Sequence, residues 1–469
     1  MDVTVTAVEG KPNLLLGAYD LADLGYAARE FFVSGTATSY TAAGQPESDG
    51  RWSVTPADHA DYTTRIVVLT PVDEARFNGT VLVEWLNVSG GIDAPAAWFM
   101  THREVVREGY AFVAVSAQKV GVDGGQSLGM DMSLKSLDAA RYGTLRHPGD
   151  AFAYDIFSAA GQLVRDRRLP GIIDPEHLVA VGESQSAIFL TTYLNAIDPL
   201  AAVYDGFFIL SRFGPGAPLD GSSIFDDTGT AQARPVPFRP DLRAPTMSVI
   251  TETDLVGAAR LGYLDARTPD SDHLRTWEIC GTAHADVYTI NVAPIDSGSA
   301  PVDELARGFA PTDMLMGNRL EHFVNFAPQH HYVLQGALAA LRDWVAAGDP
   351  PPVFAPLEVA DGALVVDEHG LARGGVRTPW VDVPVAVTSG LGPVGPLGGD
   401  SAPAVLAIAD LFGSGSYFGG GVLAELYPGG VTTYLERFSA ALDRAIEARA
   451  VRPADRAEIL ALAEAMYPG

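Results

Sequence analysis

The sequence predicts an α/β protein with a mostly parallel central sheet covered by helices on both faces. Three observations carry that expectation. Residues 30 to 40 (EFFVSGTATSY) and 62 to 70 (YTTRIVVLT) are rich in β-branched and aromatic residues and read as an initial β-hairpin. From residue 80 onward, strand patterns alternate with helix patterns, which is how parallel strands joined by crossover helices appear in a sequence. The strands of that alternating part, such as TVLVEWL (80 to 86) and YAFVAVS (110 to 116), are nearly continuous apolar runs, as strands buried on both faces must be.

Taken in order, the strand at 80 to 86 is followed by a helix through AAWFMTHREVVRE, with Asp93 as N-cap, Pro95 in the first turn and Gly109 as the stop. After the strand at 110 to 116, residues 150 to 165 have helical character. Residues 177 to 181 (HLVAV) form a short buried strand that runs directly into Gly182. A helix is expected over about 185 to 195, then strands at 204 to 210, 245 to 251 and 274 to 279. The helix at 331 to 345 places Leu334, Leu338, Leu341 and Val345 on one face and is stopped by Gly348 and Pro350.

Two regions lie outside this plan, and they set the expected organisation: a core at 1–349 with a Gly/Pro-rich insertion near 214–241, and a C-terminal extension at 350–469. The extension is expected to pack on the core and contribute to a substrate pocket, with closing helices near 432 to 450 and 453 to 466. GSGSYFG (413 to 419) mimics a dinucleotide-binding glycine pattern, but it follows no clear strand and reads as a cluster of turns.

Composition narrows the function. With 47% apolar and 19% charged residues in a chain of 469, the protein has the make-up of an ordinary globular domain. The formal charge of −27, from 31 basic and 58 acidic residues, argues against a nucleic-acid partner and against anionic membrane surfaces. Cys280, the single cysteine, excludes an intramolecular disulfide framework and any multi-cysteine metal site. His330 and His331 lack HExxH spacing, and no metal or cofactor is expected. The opening MDVTVTAVEG has neither a basic leader nor an apolar core, so the expected location is the cytoplasm.

The chemistry is carried by VAVGESQSA (179 to 187), a strand that ends in a tight turn and opens a helix. That is the setting of a nucleophile elbow, in which a serine sits on a strained turn with small residues two before and two after it. Gly182 fills the first small position and Ser186 stands where glycine is usual, leaving Ser184 as the expected nucleophile. Its competing readings are a helix N-cap serine without chemistry, and Ser186 as the nucleophile instead. A serine hydroxyl needs a histidine base, and the histidine needs an acid to fix its tautomer. The order serine, acid, histidine expected for an α/β-hydrolase fold is met downstream by Glu252-Thr253-Asp254 and then Gly281-Thr282-Ala283-His284, each group just past a strand. His284 is the expected base. Asp254 is the expected acid, because a residue just beyond the strand can fold back over the sheet edge, with Glu252 as the alternative. The oxyanion donors are expected from the backbone N–H of Gln185 and from the loop Asn87-Val88-Ser89-Gly90-Gly91, through the N–H of Val88 or the side chain of Asn87.

These residues resemble a family of large bacterial esterases with an α/β-hydrolase domain. The matching stretches are REFFVSGTA (29 to 37), VLVEWLNVSGG (81 to 91), HPGDAFAYDIF (147 to 157), HLVAVGESQSA (177 to 187), ITETD (250 to 254), GTAHAD (281 to 286) and ARGGVRTPWVDVP (372 to 384). The resemblance implies an ester hydrolase with Ser184 as nucleophile, an acid and a histidine completing the triad, and a segment beyond 350 that belongs to the same functional unit. The expected activity is hydrolysis of a carboxylic ester through an acyl-serine, without a cofactor, and an apolar lid formed by the insertion at 214–241 and the segment beyond 350 makes a small to medium hydrophobic ester the expected substrate. Acyl transfer or lactone opening by the same triad, and a catalytically silent binding protein, are the alternatives.

Overall fold

Strands β2 (Tyr26–Ala42) and β3 (Val54–Pro71) form the expected hairpin and pair antiparallel, from Tyr26 against Pro71 to Ala42 against Val54. The structure is a computed structural model that describes residues 3–44, 46–125, 127, 131–224, 234–257, 262–392 and 408–468. A short strand that the sequence did not announce, β1 (Thr4–Val8), pairs with β2 at the sheet edge. Six further strands complete the sheet: β4 (Thr80–Trp85), β5 (Ala111–Val115), β6 (His177–Glu183), β7 (Gly206–Leu210), β8 (Thr246–Thr251) and β9 (Leu274–Ile279). Their order is β1-β2-β3-β5-β4-β6-β7-β8-β9, and every neighbouring pair from β5 to β9 is parallel. All residues of β4, β5, β7 and β8 are buried, which explains their mostly apolar sequences.

The alternation of side chains along β4 assigns the two faces. Val81, Val83 and Trp85 pack with helix α2 (Ala153–Arg165) and helix α3 (Gln185–Thr192), whereas Leu82 packs on the other face with helix α1 (Ala96–Glu108) and helix α5 (Gln329–Ala347). Between α3 and α5 in the chain, the short helix α4 (Glu252–Val256) follows β8 directly.

Several local expectations need correction. Asp93 does not cap α1. Its carboxylate pairs with the buried Arg65 guanidinium at 2.8 Å and with the Ser116 hydroxyl, while the N-terminus of α1 is met by Glu84 from β4, whose Oε1 accepts the Ala97 N–H at 2.7 Å. A strand carboxylate thus supplies the acceptor that an N-cap side chain usually does. The helix after Gly182 is α-helical only to Thr192 and then widens into a π-helical turn, Tyr193–Ile197. GSGSYFG is not a cluster of turns, because Ser414–Tyr417 (β11) pairs antiparallel with Ala386–Ser389 (β10). Of the insertion near 214–241, residues 225–233 lie outside the described residues, and the described part contains no helix or strand.

The segment after 350 shares its buried surface with the sheet. Val376 bridges Ile279 at the end of β9 in parallel, and Trp380 stacks on Tyr332 of α5 with ring centroids 5.8 Å apart. Helix α6 (Val431–Glu447) adds Phe438, edge-on to Trp380, and helix α7 (Arg456–Ala465) contributes Ile459 and Leu462 to the same core. Among the described residues, no helix is long and apolar enough to cross a membrane.

Gly390, just past β10, is a point of close approach, since a Cβ there would lie 2.5 Å from Glu252 Cβ, Thr253 N and Thr282 O. Gly390→Ala is therefore expected to lower the unfolding free energy by about 2 kcal/mol or more. Gly421→Ala, where a Cβ meets nothing within 4 Å, is expected to leave it unchanged or slightly raised. Urea denaturation of both variants at constant m-value checks the pair, and equal midpoints would refute the tight docking at Gly390.

Candidate active site

The strand order reverses at β4, which has β5 on one side and β6 on the other, and the crevice at the carboxyl ends of such a pair is where ligands bind in open α/β sheets. The GESQS turn lies there. Strand β6 ends at Glu183, α3 begins at Gln185, and Ser184 between them is held at φ 57° and ψ −116°. Such a backbone costs a non-glycine residue on the order of 1–3 kcal/mol and persists only where the surroundings enforce it. Here Ser184 N–H donates to Leu210 O of β7 at 2.9 Å, and Ser184 O accepts from Ile188 N at 3.2 Å. Gly182 has no room for a side chain, because its Cβ would lie 2.8 Å from Leu190 Cδ1 and 3.1 Å from the Ser186 backbone. The Ser184 side chain makes no capping bond to α3, which removes the N-cap reading. Ser186 is fully buried inside α3.

The acid and the base come from the loops after β8 and β9. A capping box opens α4: Asp254 Oδ2 accepts the Thr251 N–H at 2.8 Å and the Thr251 hydroxyl at 2.7 Å. Its other oxygen is then directed at His284, with Asp254 Oδ1 2.6 Å from Nδ1. A carboxylate so close fixes the proton on Nδ1 and leaves Nε2 as the basic nitrogen. The His284 backbone N–H donates to Thr253 Oγ1 at 3.1 Å, and its ring packs against Phe213 with centroids 5.1 Å apart.

Glu252, two residues from Asp254, is spent elsewhere. Its Oε1 accepts the Gly281 N–H at 2.6 Å, and its Oε2 accepts the Gly390 N–H at 2.8 Å and the Ser389 hydroxyl at 3.1 Å. It clamps the ends of β8, β9 and β10 together, and burial pushes its carboxyl up to about 7 against these stabilising bonds.

The sequence reading missed Glu183. Its Oε1 lies 3.7 Å from His284 Nε2, and Asn87 Nδ2 holds its Oε2 at 3.2 Å and its carbonyl oxygen at 3.1 Å. Burial pushes this carboxyl up to about 7, with the charge of His284 opposing the rise and that of Asp254 adding to it. The available signal was a carboxylate inside the elbow motif itself, at the end of a buried strand. Among the described residues, no hydrogen bond joins Ser184 Oγ to His284. Apo catalytic contacts are often long and tighten only with substrate.

The loop after β4 meets the elbow through Gln185. Val88 N–H donates to Gln185 Oε1 at 3.3 Å, and Gln185 Nε2 donates to Gln118 Oε1 at 2.6 Å. The Asn87 carboxamide is engaged at both ends, its oxygen accepting from the Ser89 N–H at 2.8 Å and the Ser89 hydroxyl at 2.7 Å. Beside these residues opens a cavity of about 240 Å³ whose lining includes Val88, Gln185, Gln118, Phe189, Asp150 and Ile224. Cys280 is buried, its thiol bonded to Ala372 O at 3.0 Å and pushed up by burial, so it is no nucleophile. Among the described residues, no cluster of His, Cys, Asp and Glu fits a metal ion.

A family model described as an alpha/beta hydrolase domain matches residues 3–461. None of the curated proteins compared with the chain matches it. Solved structures with similarity include a thermostable esterase from Pseudomonas putida, at 15% identity and TM-score 0.28, covering 50% of this chain and 66% of that one. Two fungal esterases from Rhizomucor miehei were analysed in another, at 12% identity and TM-score 0.33, covering 67% and 84%. A Pyrococcus furiosus esterase is similar at 11% identity and TM-score 0.33, covering 57% and 88%. The chain thus spans just under two thirds of the Pseudomonas putida esterase.

The division of labour between the two carboxylates predicts unequal losses of stability. Glu252→Ala leaves the Gly281 and Gly390 N–H groups without their acceptor and is expected to lower the unfolding free energy by about 2–4 kcal/mol. Asp254→Asn keeps an acceptor oxygen for Thr251 and is expected to lower it by about half as much or less. Chemical denaturation monitored by tryptophan fluorescence checks the order, and a larger loss for Asp254→Asn would reverse the assignment.

Proposed function

The chain belongs to the alpha/beta hydrolase domain family, and on that premise we propose that it is a serine carboxylesterase acting through an acyl-enzyme. The observations that carry the reading are the Asp254–His284 pair at 2.6 Å and a serine whose backbone is strained in the manner of a nucleophile elbow. His284 Nε2 takes the proton of Ser184 Oγ as that oxygen attacks the ester carbonyl, and Asp254 stabilises the imidazolium that forms. The tetrahedral oxyanion is met by the backbone N–H groups of Gln185, at the start of α3, and Val88, with the helix N-terminus adding favourable charge. For Val88 this requires the Gln185 carboxamide, which accepts that N–H in the resting geometry, to give way to the substrate oxygen. Asn87 is the weaker candidate donor because Glu183 already occupies its amide. The imidazolium then protonates the departing alkoxide. Water, deprotonated by the same Nε2, releases the acid and restores Ser184.

The substrate we assign is a small to medium hydrophobic carboxylic ester. Supporting this, the cavity beside Val88 and Gln185 has Phe189, Val120 and Ile224 in its wall, and at about 240 Å³ it is below the usual range for drug-sized ligands. The insertion near 214–241 and the segment at 350–469 would complete the pocket, the first through Gly221 to Ile224 of its described part.

Hydrolysis of p-nitrophenyl acetate and butyrate tests the proposal, with a fluorophosphonate probe reporting on the nucleophile. Ser184→Ala is expected to abolish labelling and to lower kcat by at least about 10⁴-fold. Asp254→Asn is expected to cost about 10⁴-fold, whereas Glu252→Gln keeps the rate constant within the same order of magnitude in whatever fraction folds. No turnover by the wild-type protein, together with no labelling of Ser184, would sink the esterase reading.

A further inference from the structure

We propose that Glu183 is a positioning residue of this site, a second carboxylate that faces Nε2 of His284 while Asp254 holds Nδ1, and that it sets how tightly Nε2 holds the proton taken from Ser184. The inference deepens the esterase reading, since it assumes that His284 is the base.

Glu183 is the last residue of β6, paired in register with Leu210 of β7, and it precedes the strained serine directly. Its carboxylate cannot wander, because Asn87 Nδ2 bonds both its Oε2 and its carbonyl oxygen. Its Oε1 stops 3.7 Å from His284 Nε2, beyond hydrogen-bond distance but well inside the range at which one charge shifts another. The contact therefore favours the imidazolium without permanently occupying the nitrogen that must reach Ser184.

The surroundings are ionisable on every side. Asp254 of α4 lies behind the ring, His330 of α5 acts on the Glu183 carboxyl and stands 3.6 Å from Asp286, and the buried Glu84 of β4 also senses the charge of Glu183. Among these, Asp254 disfavours an ionised Glu183, while His284 and His330 favour it. Burial, opposed by the two histidines and reinforced by Asp254, pushes the Glu183 carboxyl up to about 7, so that it changes charge in the range where the enzyme would work. When Glu183 is ionised, the imidazolium is stabilised and its neutral, basic form appears only at higher pH. When Glu183 is replaced by a neutral amide, that stabilisation is lost and the neutral form appears at lower pH.

The test reads His284 directly. The full-length protein with ¹⁵N-labelled histidine is titrated by NMR, the His284→Asn variant identifying the ring signals. In Glu183→Gln the His284 midpoint is expected to fall by about one unit, and the acid limb of kcat/KM for p-nitrophenyl acetate to fall with it, at a thermal midpoint close to wild type. Glu183→Asp, which keeps the charge, is expected to retain most of the wild-type midpoint. The wild-type protein needs no variant: its His284 signals should show a second inflection near pH 7 from the carboxyl beside them. A His284 midpoint that stays put or rises in Glu183→Gln overturns the proposal, as does the absence of that second inflection should the variant fail to fold. If the wild-type protein turns over no ester, the esterase reading fails, while the titration still decides whether Glu183 controls His284.

Discussion

The backbone of Ser184, held at φ 57° and ψ −116°, is the constraint from which the rest of the site is laid out. A strand cannot hand over to a helix in one residue unless both are anchored. β6 is anchored by parallel pairing to β4 and β7 in the middle of the sheet, and α3 by an entirely buried side-chain set. The bond from Ser184 N to Leu210 O keeps the turn on the sheet, and the bare Gly182 lets the helix fall back onto the strand. A serine on such a turn has no backbone group to cap, so its hydroxyl is left for another partner. The position of β4 then follows, since the reversal of strand order places its outgoing loop, with Asn87 and Val88, against the elbow.

Four acidic side chains lie around this point, and the donors each one meets decide what it can do. Glu84 is fully buried and accepts from the start of α1, so its carboxyl is held well above the usual range by burial. Glu252 has three donors from two segments, the turns at Gly281 and at Ser389-Gly390, and is a structural clamp. Asp254 gives one oxygen to Thr251 and keeps the other for His284, which fixes the ring by a short bond. Among the described residues, Glu183 has only the Asn87 amide on its carboxylate, and it faces the histidine at a longer distance. A single histidine thus sits between a carboxylate that orients it and a carboxylate that is close enough to bias its charge. Burying several acids together is unfavourable, and it is tolerated here because backbone and side-chain N–H groups replace much of the lost hydration.

Much of this was legible because the signals were local. The apolar runs of β4 to β9, the hairpin, the elbow and the order of Ser184, Asp254 and His284 all depend on short stretches whose period or spacing survives in any context. What was hidden depends on pairing at a distance. Asp93 looks like an N-cap, yet Arg65, 28 residues earlier, draws it away, and Glu84 across the sheet takes its place at the start of α1. GSGSYFG looks like turns because its glycines say nothing of β10, against which Ser414–Tyr417 pairs. Glu183 was passed over for a different reason. The elbow pattern marks its neighbours by size and leaves its own position unrestricted, so only the approach of His284 gives it meaning.

The same long-range pairing binds the segment after 350 to the chemistry. Thr253 donates its hydroxyl to Gly390 O, and Ala285 N–H, next to His284, donates to Leu411 O at 2.9 Å. Asn325 spans the gap, its Nδ2 bonding Gly281 O and Ser389 O at 3.0 Å each while its backbone N–H reaches Phe412 O. The turn that carries the acid and the turn that carries the base are therefore braced by Asn325, and by Gly390 and Leu411, which arrive more than 100 positions later in the chain. Between two loops at a sheet edge, a separation held to 2.6 Å needs such bracing, because loops alone carry too few buried contacts to fix it. Orientation of His284 is thus a property of the whole chain, and the C-terminal segment acts on the site through the backbone groups of Gly390 and Leu411 and the Ser389 hydroxyl.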